Sequence, residues 1–275
     1  MPELPEVQTV VDSLRPKIKD LRVIDVEIKE KKMIAFPDIS GFKEVLINNQ
    51  VKTVRRRGKY IIIELADGHY LVTHLRMTGQ LIYSSDNSEE AKYTYIIIQF
   101  DNQHQLRFIN KRKFGRMYLV SDLADAGSLT KLGPEPLEDD FTFDKFKALF
   151  DNRTGMIKPL LLNQKFLAGL GNIYVDESLH LSHVHPERKA NRLTEKELKN
   201  LYKNIRKILR EGIKYRGTTK WDYVDSSGNA GEYQNHLKAY DREGEVCYTC
   251  DTPLNRIKVG GRSSYFCPQC QSPDK

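Results

Sequence analysis

The four cysteines of this 275-residue chain constrain its fold most strongly, because all of them fall between positions 247 and 270. Cys247 and Cys250 form one Cys-x-x-Cys pair, Cys267 and Cys270 form another, and 16 residues separate the two. Four thiolates at this spacing are typical of a tetrahedral zinc site closed by two knuckles, and clustering in a reducing compartment favours a metal over disulfides. We therefore predict a C-terminal zinc finger with one structural Zn²⁺.

A different pattern occupies residues 21–120, where short runs rich in β-branched and aromatic residues are separated by turn residues such as Asp67-Gly68. Serial short strands without intervening helices predict an antiparallel sandwich or barrel. The run Arg55-Arg56-Arg57-Gly58-Lys59 indicates a basic turn directly before one of these strands. Ahead of them, apolar residues recur at helical spacing from Val7 to Ile18 and predict a helix over about residues 5–15.

Helical periodicity takes over after Gly133-Pro134-Glu135-Pro136, which has the composition of a linker. The last predicted helix starts at a capping box formed by Thr194 and Glu197. We therefore expect an α+β fold with an N-terminal antiparallel β-sandwich and flanking helices in residues 1–133. A helical domain in residues 134–237 and the zinc finger in residues 238–275 follow. The polar, glycine-containing segment at about 217–235 is expected to be a mobile loop within the helical domain.

The charge distribution favours a polyanionic partner. The formal net charge is +7, and the segment from Asp151 to Lys220 alone holds 15 Lys and Arg against 7 Asp and Glu. A basic surface attracts phosphate backbones independently of sequence. The sequence has no apolar run of spanning length and no secretory pattern, so we expect a cytoplasmic protein with no membrane partner.

The N-terminus offers a nucleophile. Removal of Met1 would make the Pro2 nitrogen a secondary amine, which can attack an electrophilic carbon such as C1′ of a deoxyribose. Its adduct with an aldehyde carbon is a cationic iminium, an electron sink. Glu3 and Glu6 stand close in sequence, where proton transfer would be needed.

The segment Pro2-Glu3-Leu4-Pro5-Glu6-Val7 resembles the N-terminal signature of the formamidopyrimidine-DNA glycosylases, bacterial enzymes that excise oxidised purines. Further stretches resemble the same family along the whole chain: His74-Leu75-Arg76-Met77-Thr78-Gly79, Asn110-Lys111-Arg112-Lys113-Phe114-Gly115, and Gly169-Leu170-Gly171-Asn172-Ile173-Tyr174. The last of these is similar to the family's helix-two-turn-helix element.

The resemblance implies a monomeric, bifunctional DNA repair enzyme acting on double-stranded DNA. Such an enzyme excises 8-oxoguanine and formamidopyrimidines and then cleaves the abasic site by β,δ-elimination through a Schiff base on the N-terminal proline. It implies that the segment 217–235 caps the extruded base and that the protein works at the bacterial nucleoid.

The resemblance also implies a role for individual residues. The implied catalytic residues are Pro2, Glu3, Lys59 and Arg262. Met77, Arg112 and Phe114 would fill the gap left by the extruded nucleotide. Phosphate contacts would come from Arg153, Lys158 and Asn172.

The chain departs from the family pattern at three positions. Tyr93 stands where the family has a DNA-contacting histidine, and we include it among the expected DNA-binding residues. Asn110 replaces an acidic residue and Gln8 replaces a glutamate. One alternative is an endonuclease VIII-type glycosylase for oxidised pyrimidines, although that class usually has glycine at the position of Leu4. The other is a zinc-finger DNA-binding relative without catalytic activity.

Overall fold

The structure is a computed structural model that describes residues 1–273. Contacts divide the chain into a first unit, residues 1–131 with 213–234, and a second unit, residues 132–212 with the chain from 235 onward. Most of the predicted loop at 217–235 therefore makes its contacts within the first unit, rather than with the helical region to which the sequence assigned it. Residues 274 and 275, the end of the predicted zinc-finger domain, lie outside the described residues.

The first unit begins with helix α1, Leu4–Ile18, which is three residues longer at its C-terminal end than the predicted helix. Glu3 is its N-cap residue and forms a capping box with Glu6, while Pro5 lies in the first turn, where its missing N–H costs nothing. The apolar residues that predicted the helix are all buried. The helix is thus held by one buried face and by a well-satisfied N-terminal end.

Two sheets follow α1. Their elements are β1 (Val23–Ile28), β2 (Ile34–Phe36), α2 (Ile39–Leu46), β3 (Val51–Arg57), β4 (Tyr60–Leu65), β5 (Tyr70–His74), β6 (Gly79–Ser85), β7 (Thr94–Phe100), β8 (His104–Asn110) and β9 (Arg116–Val120). One sheet has the order β1-β7-β8-β6 and the other β2-β9-β5-β4-β3. Every pairing is antiparallel except β2 with β9, which is parallel. Buried residues of both sheets and of α1 and α2 share one core.

The strand β3 was not predicted. The sequence indicated a basic turn at Arg55-Arg56-Arg57, whereas these residues belong to β3, and the turn is formed by Gly58 and Lys59 alone. Only Val51 and Val54 of β3 are buried, and the three arginines that end the strand are partly exposed. The alternation of apolar and polar residues that identifies a strand is therefore missing from this part of the sequence.

The second unit is mainly helical. Its helices are α3 (Phe143–Ala148), α4 (Ile157–Leu162), α5 (Asn172–Leu181) and α6 (Glu195–Lys214), and its hairpin consists of β10 (Asn255–Val259) and β11 (Arg262–Phe266). The capping box predicted for α6 is present, because Thr194 N–H donates to Glu197 Oε2 at 2.8 Å. Among the described residues, no helix combines the length and apolar character needed to cross a membrane.

Candidate functional site

The N-terminal end of α1 is buried and tightly bonded. Pro2 is buried, and Glu3 is only 4% exposed. The Glu3 backbone N–H donates to Glu6 Oε2 at 2.8 Å, and the other Glu6 oxygen accepts from Thr218 N–H at 2.7 Å. Glu6 therefore joins the segment that carries Pro2 to the first residues of the 217–235 loop. The partial positive charge of the helix N-terminus favours anionic groups at this point.

Lys59 lies in the two-residue turn between β3 and β4 and is 5% exposed. Its neighbour Gly58 has φ +55°, a left-handed conformation that glycine adopts at no steric cost. The helix α1 packs on β3 in this unit, and Arg15 Nε of the helix donates to the Val54 carbonyl at 2.6 Å. Glu3 and Lys59 thus lie at the ends of two elements, α1 and β3, that pack on each other.

Met77, Arg112 and Phe114, the three predicted gap-filling residues, are brought together in the first unit. The guanidinium of Arg112 lies 3.1 Å from Met77 Sδ and 4.9 Å from the centre of the Phe114 ring. Met77 and Phe114 are 44% and 48% exposed, which is unusual for large apolar side chains. The arrangement is an exposed wedge of two apolar groups around one cation, suited to insertion between bases.

Asn110 and Tyr93 are linked to this wedge by hydrogen bonds. Asn110 is fully buried and its Oδ1 accepts from Thr78 Oγ1 at 3.2 Å, while the same hydroxyl accepts from the Arg112 N–H at 3.1 Å. The Asn110 N–H donates to the Tyr93 carbonyl at 3.0 Å. Tyr93 itself has φ +68° and is half-buried. Asn110 therefore bonds Thr78 through its side-chain oxygen, without the charge of the acidic residue expected there.

His74 is a site residue to which the sequence assigned no role. It is buried edge-on against Tyr60, with 4.5 Å between the ring centres, and its Nδ1 accepts from the Arg76 N–H at 3.0 Å. Burial, with the nearby charges of Arg76 and Lys59, lowers the pKa of His74 to about 3. The imidazole is thus neutral at physiological pH and carries its proton on Nε2.

The segment 217–235 is more firmly attached than its composition suggested. Buried Asp225 accepts from the N–H groups of Ser227 and Asn229 at 2.8 and 2.9 Å and forms an ion pair with Arg216. The Tyr223 hydroxyl donates to the Arg216 carbonyl at 3.0 Å, and burial raises the pKa of this phenol. Between these attachments, Trp221 is 87% exposed.

In the second unit, Asn172 begins α5 and its Nδ2 donates to the Ser263 carbonyl at 2.9 Å. Lys158 has no exposed surface, and its ammonium donates to Asp176 Oδ1 at 2.6 Å and to the same Ser263 carbonyl at 2.7 Å. Burial raises the pKa of Asp176 to about 7, opposed by the charge of Lys158. Lys158 was predicted to contact a phosphate, but here it lies beneath the hairpin and offers no surface to one.

Arg153 and Arg262 are both exposed. Arg262 opens β11 and pairs with Val259 across a turn in which Gly260 and Gly261 have φ of +56° and +79°. The Lys158 and Asn172 bonds hold the carbonyl of Ser263, the residue after Arg262. The second unit thus presents Arg262 from a hairpin fixed by a buried polar cluster.

The four cysteine sulfurs are close enough to bind one metal ion. All lie within 4.8 Å of one another, and three of the separations are 4.0 Å (Cys247 to Cys270), 3.4 Å (Cys250 to Cys267) and 3.4 Å (Cys250 to Cys270). A tetrahedron with zinc–sulfur bonds of about 2.3 Å has sulfur–sulfur edges of about 3.8 Å, so the thiols fit zinc.

Family models match this chain in three successive segments. The formamidopyrimidine-DNA glycosylase N-terminal domain matches residues 1–117, and the H2TH domain of the same enzymes matches residues 132–223. A zinc finger found in FPG and IleRS matches residues 244–273. The chain belongs to the formamidopyrimidine-DNA glycosylase family, as its N-terminal signature indicated.

Individual proteins support the assignment over the full length. The formamidopyrimidine-DNA glycosylase of Pelotomaculum thermopropionicum is 47% identical over 273 residues, which cover 98% of this chain and 99% of that one. The wild-type Fpg (MutM) of Lactococcus lactis, in complex with DNA containing N7-benzyl-Fapy-dG, has a TM-score of 0.91 at 37% identity, covering 98% of this chain and 100% of that one. A MutM in complex with DNA containing carbocyclic 8-oxo-G gives the same values.

These similarities confirm the predicted α+β fold of β-sandwich, helix-two-turn-helix region and zinc finger. They also confirm one structural zinc ion, held by Cys247, Cys250, Cys267 and Cys270.

Proposed function

We propose that this protein excises oxidised purines from duplex DNA and then cleaves the resulting abasic site through a Schiff base on Pro2. The observation that carries the proposal is the buried N-terminal end of α1, where Pro2 and Glu3 are held by the Glu6 capping box in a chain of this family. The relatives named for formamidopyrimidine-DNA glycosylase activity, and those bound to DNA with Fapy-dG or 8-oxo-G, support the substrate class.

In the proposed mechanism, removal of Met1 frees the Pro2 nitrogen as the nucleophile. Its lone pair forms a bond to C1′ while the bond from C1′ to the purine breaks, and the base leaves with a proton. The amine loses its own proton, the sugar ring opens as O4′ is protonated, and an iminium remains between C1′ and Pro2. Glu3, the next residue, takes up and returns protons in these steps.

Strand cleavage uses the iminium as an electron sink. Loss of a proton from C2′ expels the 3′-phosphate, and loss of a second proton from the sugar expels the 5′-phosphate. Water then hydrolyses the iminium and regenerates Pro2. Lys59, held in the turn after β3, stabilises the departing phosphate in the first elimination, and Arg262 does so in the second.

Recognition requires the damaged nucleotide to leave the stack. Met77 and Phe114 occupy the vacated space and Arg112 hydrogen-bonds the orphaned base, in keeping with their exposed cluster. Arg153 and Asn172 contact the phosphate backbone, and Tyr93 contacts the DNA. Lys158, buried in this structure, acts by holding the Ser263 carbonyl and therefore the hairpin that carries Arg262.

The proposal includes the organisation of the chain. Residues 1–133 form the catalytic domain, residues 134–237 the helix-two-turn-helix domain, and residues 238–275 the zinc finger. The capping segment 217–235 belongs to the second of these in sequence, although most of its contacts lie in the first unit. The protein acts as a monomer in the cytoplasm, on nucleoid DNA. Zinc is bound by four thiolates with no position left for substrate, so it holds the finger together.

Excision assays on matched duplexes test the substrate class. The purified protein is incubated under single-turnover conditions with 8-oxoguanine opposite cytosine, with an oxidised pyrimidine, and with an undamaged duplex. Faster release of 8-oxoguanine than of the pyrimidine is expected. Preferred release of the pyrimidine would transfer the protein to the endonuclease VIII type of activity, and binding of damaged DNA without release of any base would leave a DNA-binding protein.

A further inference from the structure

Gln8, one of the departures from the family pattern, lies in a continuous chain of hydrogen bonds. Its Oε1 accepts from Arg56 Nε at 2.9 Å, and its Nε2 donates to Asp12 Oδ1 at 2.9 Å. Gln8 belongs to α1, the helix that begins beside Pro2 and Glu3. The amide thus presents its acceptor to a cation on β3 and its donor to a carboxylate on its own helix.

Arg56 extends this chain to the turn that carries Lys59. Its Nη1 donates to the Gly58 carbonyl at 2.9 Å. This carbonyl and the Lys59 N–H belong to the same peptide group. A hydrogen bond to the carbonyl therefore limits rotation of that peptide plane, and with it the direction of the Lys59 side chain. Gly58 has φ +55°, and the turn is closed by the pairing of Arg57 with Tyr60, so the Arg56 bond adds a side-chain constraint to a turn already set by its strands.

We infer that Gln8 and Arg56 are positioning residues, which fix the Lys59 turn relative to the helix end that bears Pro2 and Glu3. The inference rests on the proposed function, because it assigns the geometry of Pro2 and Lys59 to this link. A planar guanidinium with several donors at fixed angles can bond two acceptors at once, which a lysine ammonium does less precisely. Reacting groups displaced by about 1 Å can lose about 100-fold in rate, so the link affects chemistry more than binding.

The same contacts suit a glutamine at position 8. Asp12 accepts from the Gln8 amide and lies 3.4 Å from Arg15 Nη1. A glutamate at position 8 would place a second carboxylate against Asp12 one helical turn away, and like charges at this spacing repel. Gln8 satisfies both neighbours, because one end of its amide is a donor and the other an acceptor.

The decisive variant is Arg56→Met, and Arg15→Met is its matched control. Both arginines join α1 to β3, but Arg15 donates to the Val54 carbonyl, away from the Lys59 turn. The rate of borohydride-trapped adduct formation on an abasic duplex is measured in single turnover, together with the Kd for that duplex and the melting temperature. We expect Arg56→Met to slow trapping about 10- to 100-fold with a Kd within about twofold of wild type. Arg56→Lys should be intermediate and Arg15→Met close to wild type.

A second pair tests Gln8. Gln8→Glu should slow trapping, and the added change Asp12→Asn should restore it, because an asparagine amide can donate to the new carboxylate. If Arg56 only stabilised the fold, Arg56→Met and Arg15→Met would both slow trapping, each in proportion to the decrease in its melting temperature. That result would overturn the inference. Weaker DNA binding by Arg56→Met with an unchanged trapping rate would show that Arg56 contacts DNA, and would also overturn the inference. So would an Arg56→Met protein with the wild-type trapping rate. Failure of the wild-type protein to form any adduct would instead refute the proposed function.

Discussion

Replacing Glu6 by glutamine should test how the N-terminal end of α1 is held. The Glu6 carboxylate is 2% exposed and accepts from two backbone N–H groups, those of Glu3 at 2.8 Å and Thr218 at 2.7 Å. A glutamine has one oxygen, so its NH₂ group would face one of these donors. The cost of one unsatisfied buried N–H, about 1–3 kcal/mol, adds to the loss of charge from the other bond, about 1 kcal/mol.

We therefore expect Glu6→Gln to reduce the free energy of unfolding by about 2–4 kcal/mol, measured by urea titration. Hydrogen exchange should increase in residues 213–234 and at the start of α1, and base excision should slow because the Glu3 segment is released. Glu197→Gln is the control, since Glu197 has the same place in the capping box of α6 but is solvent-accessible. It should cost about 1 kcal/mol, because the ion pair of Glu197 with Arg188 at 3.5 Å is weakened along with the capping box. Equal losses in the two variants, or unchanged exchange in residues 213–234, would refute this reasoning.

Three further predictions concern His74, Lys158 and the zinc site. The pKa of His74 is about 3 in the folded protein and about 6.5 in the unfolded chain. Its contribution to the free energy of unfolding is therefore complete above pH 6.5 and falls as the pH drops. About 2 kcal/mol should be lost by about pH 5 at 1.36 kcal/mol per unit, and a pH series of unfolding free energies should show no such slope in His74→Asn. Lys158→Met should destabilise by about 3–5 kcal/mol, because it leaves buried Asp176 without its cation, and adding Asp176→Asn should recover much of the loss in urea titrations. Metal analysis should find one zinc per chain, and Cys270→Ser should lose zinc and weaken DNA binding while circular dichroism of the β-rich first unit is retained.

Features encoded over short sequence distances could be predicted. The four cysteines carry their ligand spacing in the sequence, and Thr194 with Glu197 announces the start of α6 within four residues. The helix α1 was predicted from its apolar stripe, because one face is buried along its whole length. The site signatures around Pro2 and Arg112 could be recognised because each lies within six consecutive residues.

Features that depend on partners far away in the sequence could not be predicted. The bond from Thr218 to Glu6 spans 212 residues, so the attachment of the 217–235 segment to α1 has no local signal. Lys158 appears in sequence as one more basic residue, and only the fold reveals Asp176 and the Ser263 carbonyl around its ammonium. Arg56 was assigned to a turn because its charge conceals the strand, and its two acceptors come from α1 and from the next turn.

The most direct test of the central claim is borohydride trapping followed by peptide mass spectrometry. The protein is trapped on a duplex containing 8-oxoguanine opposite cytosine, with an undamaged duplex and the Pro2→Gly variant as controls, and the adduct is located by sequencing the modified peptide. The proposed mechanism predicts an adduct only with the damaged duplex, lacking Met1, with the sugar fragment on the Pro2 nitrogen. An adduct on a lysine such as Lys59, or release of 8-oxoguanine with no trapped complex, would contradict the assignment of Pro2 as the nucleophile.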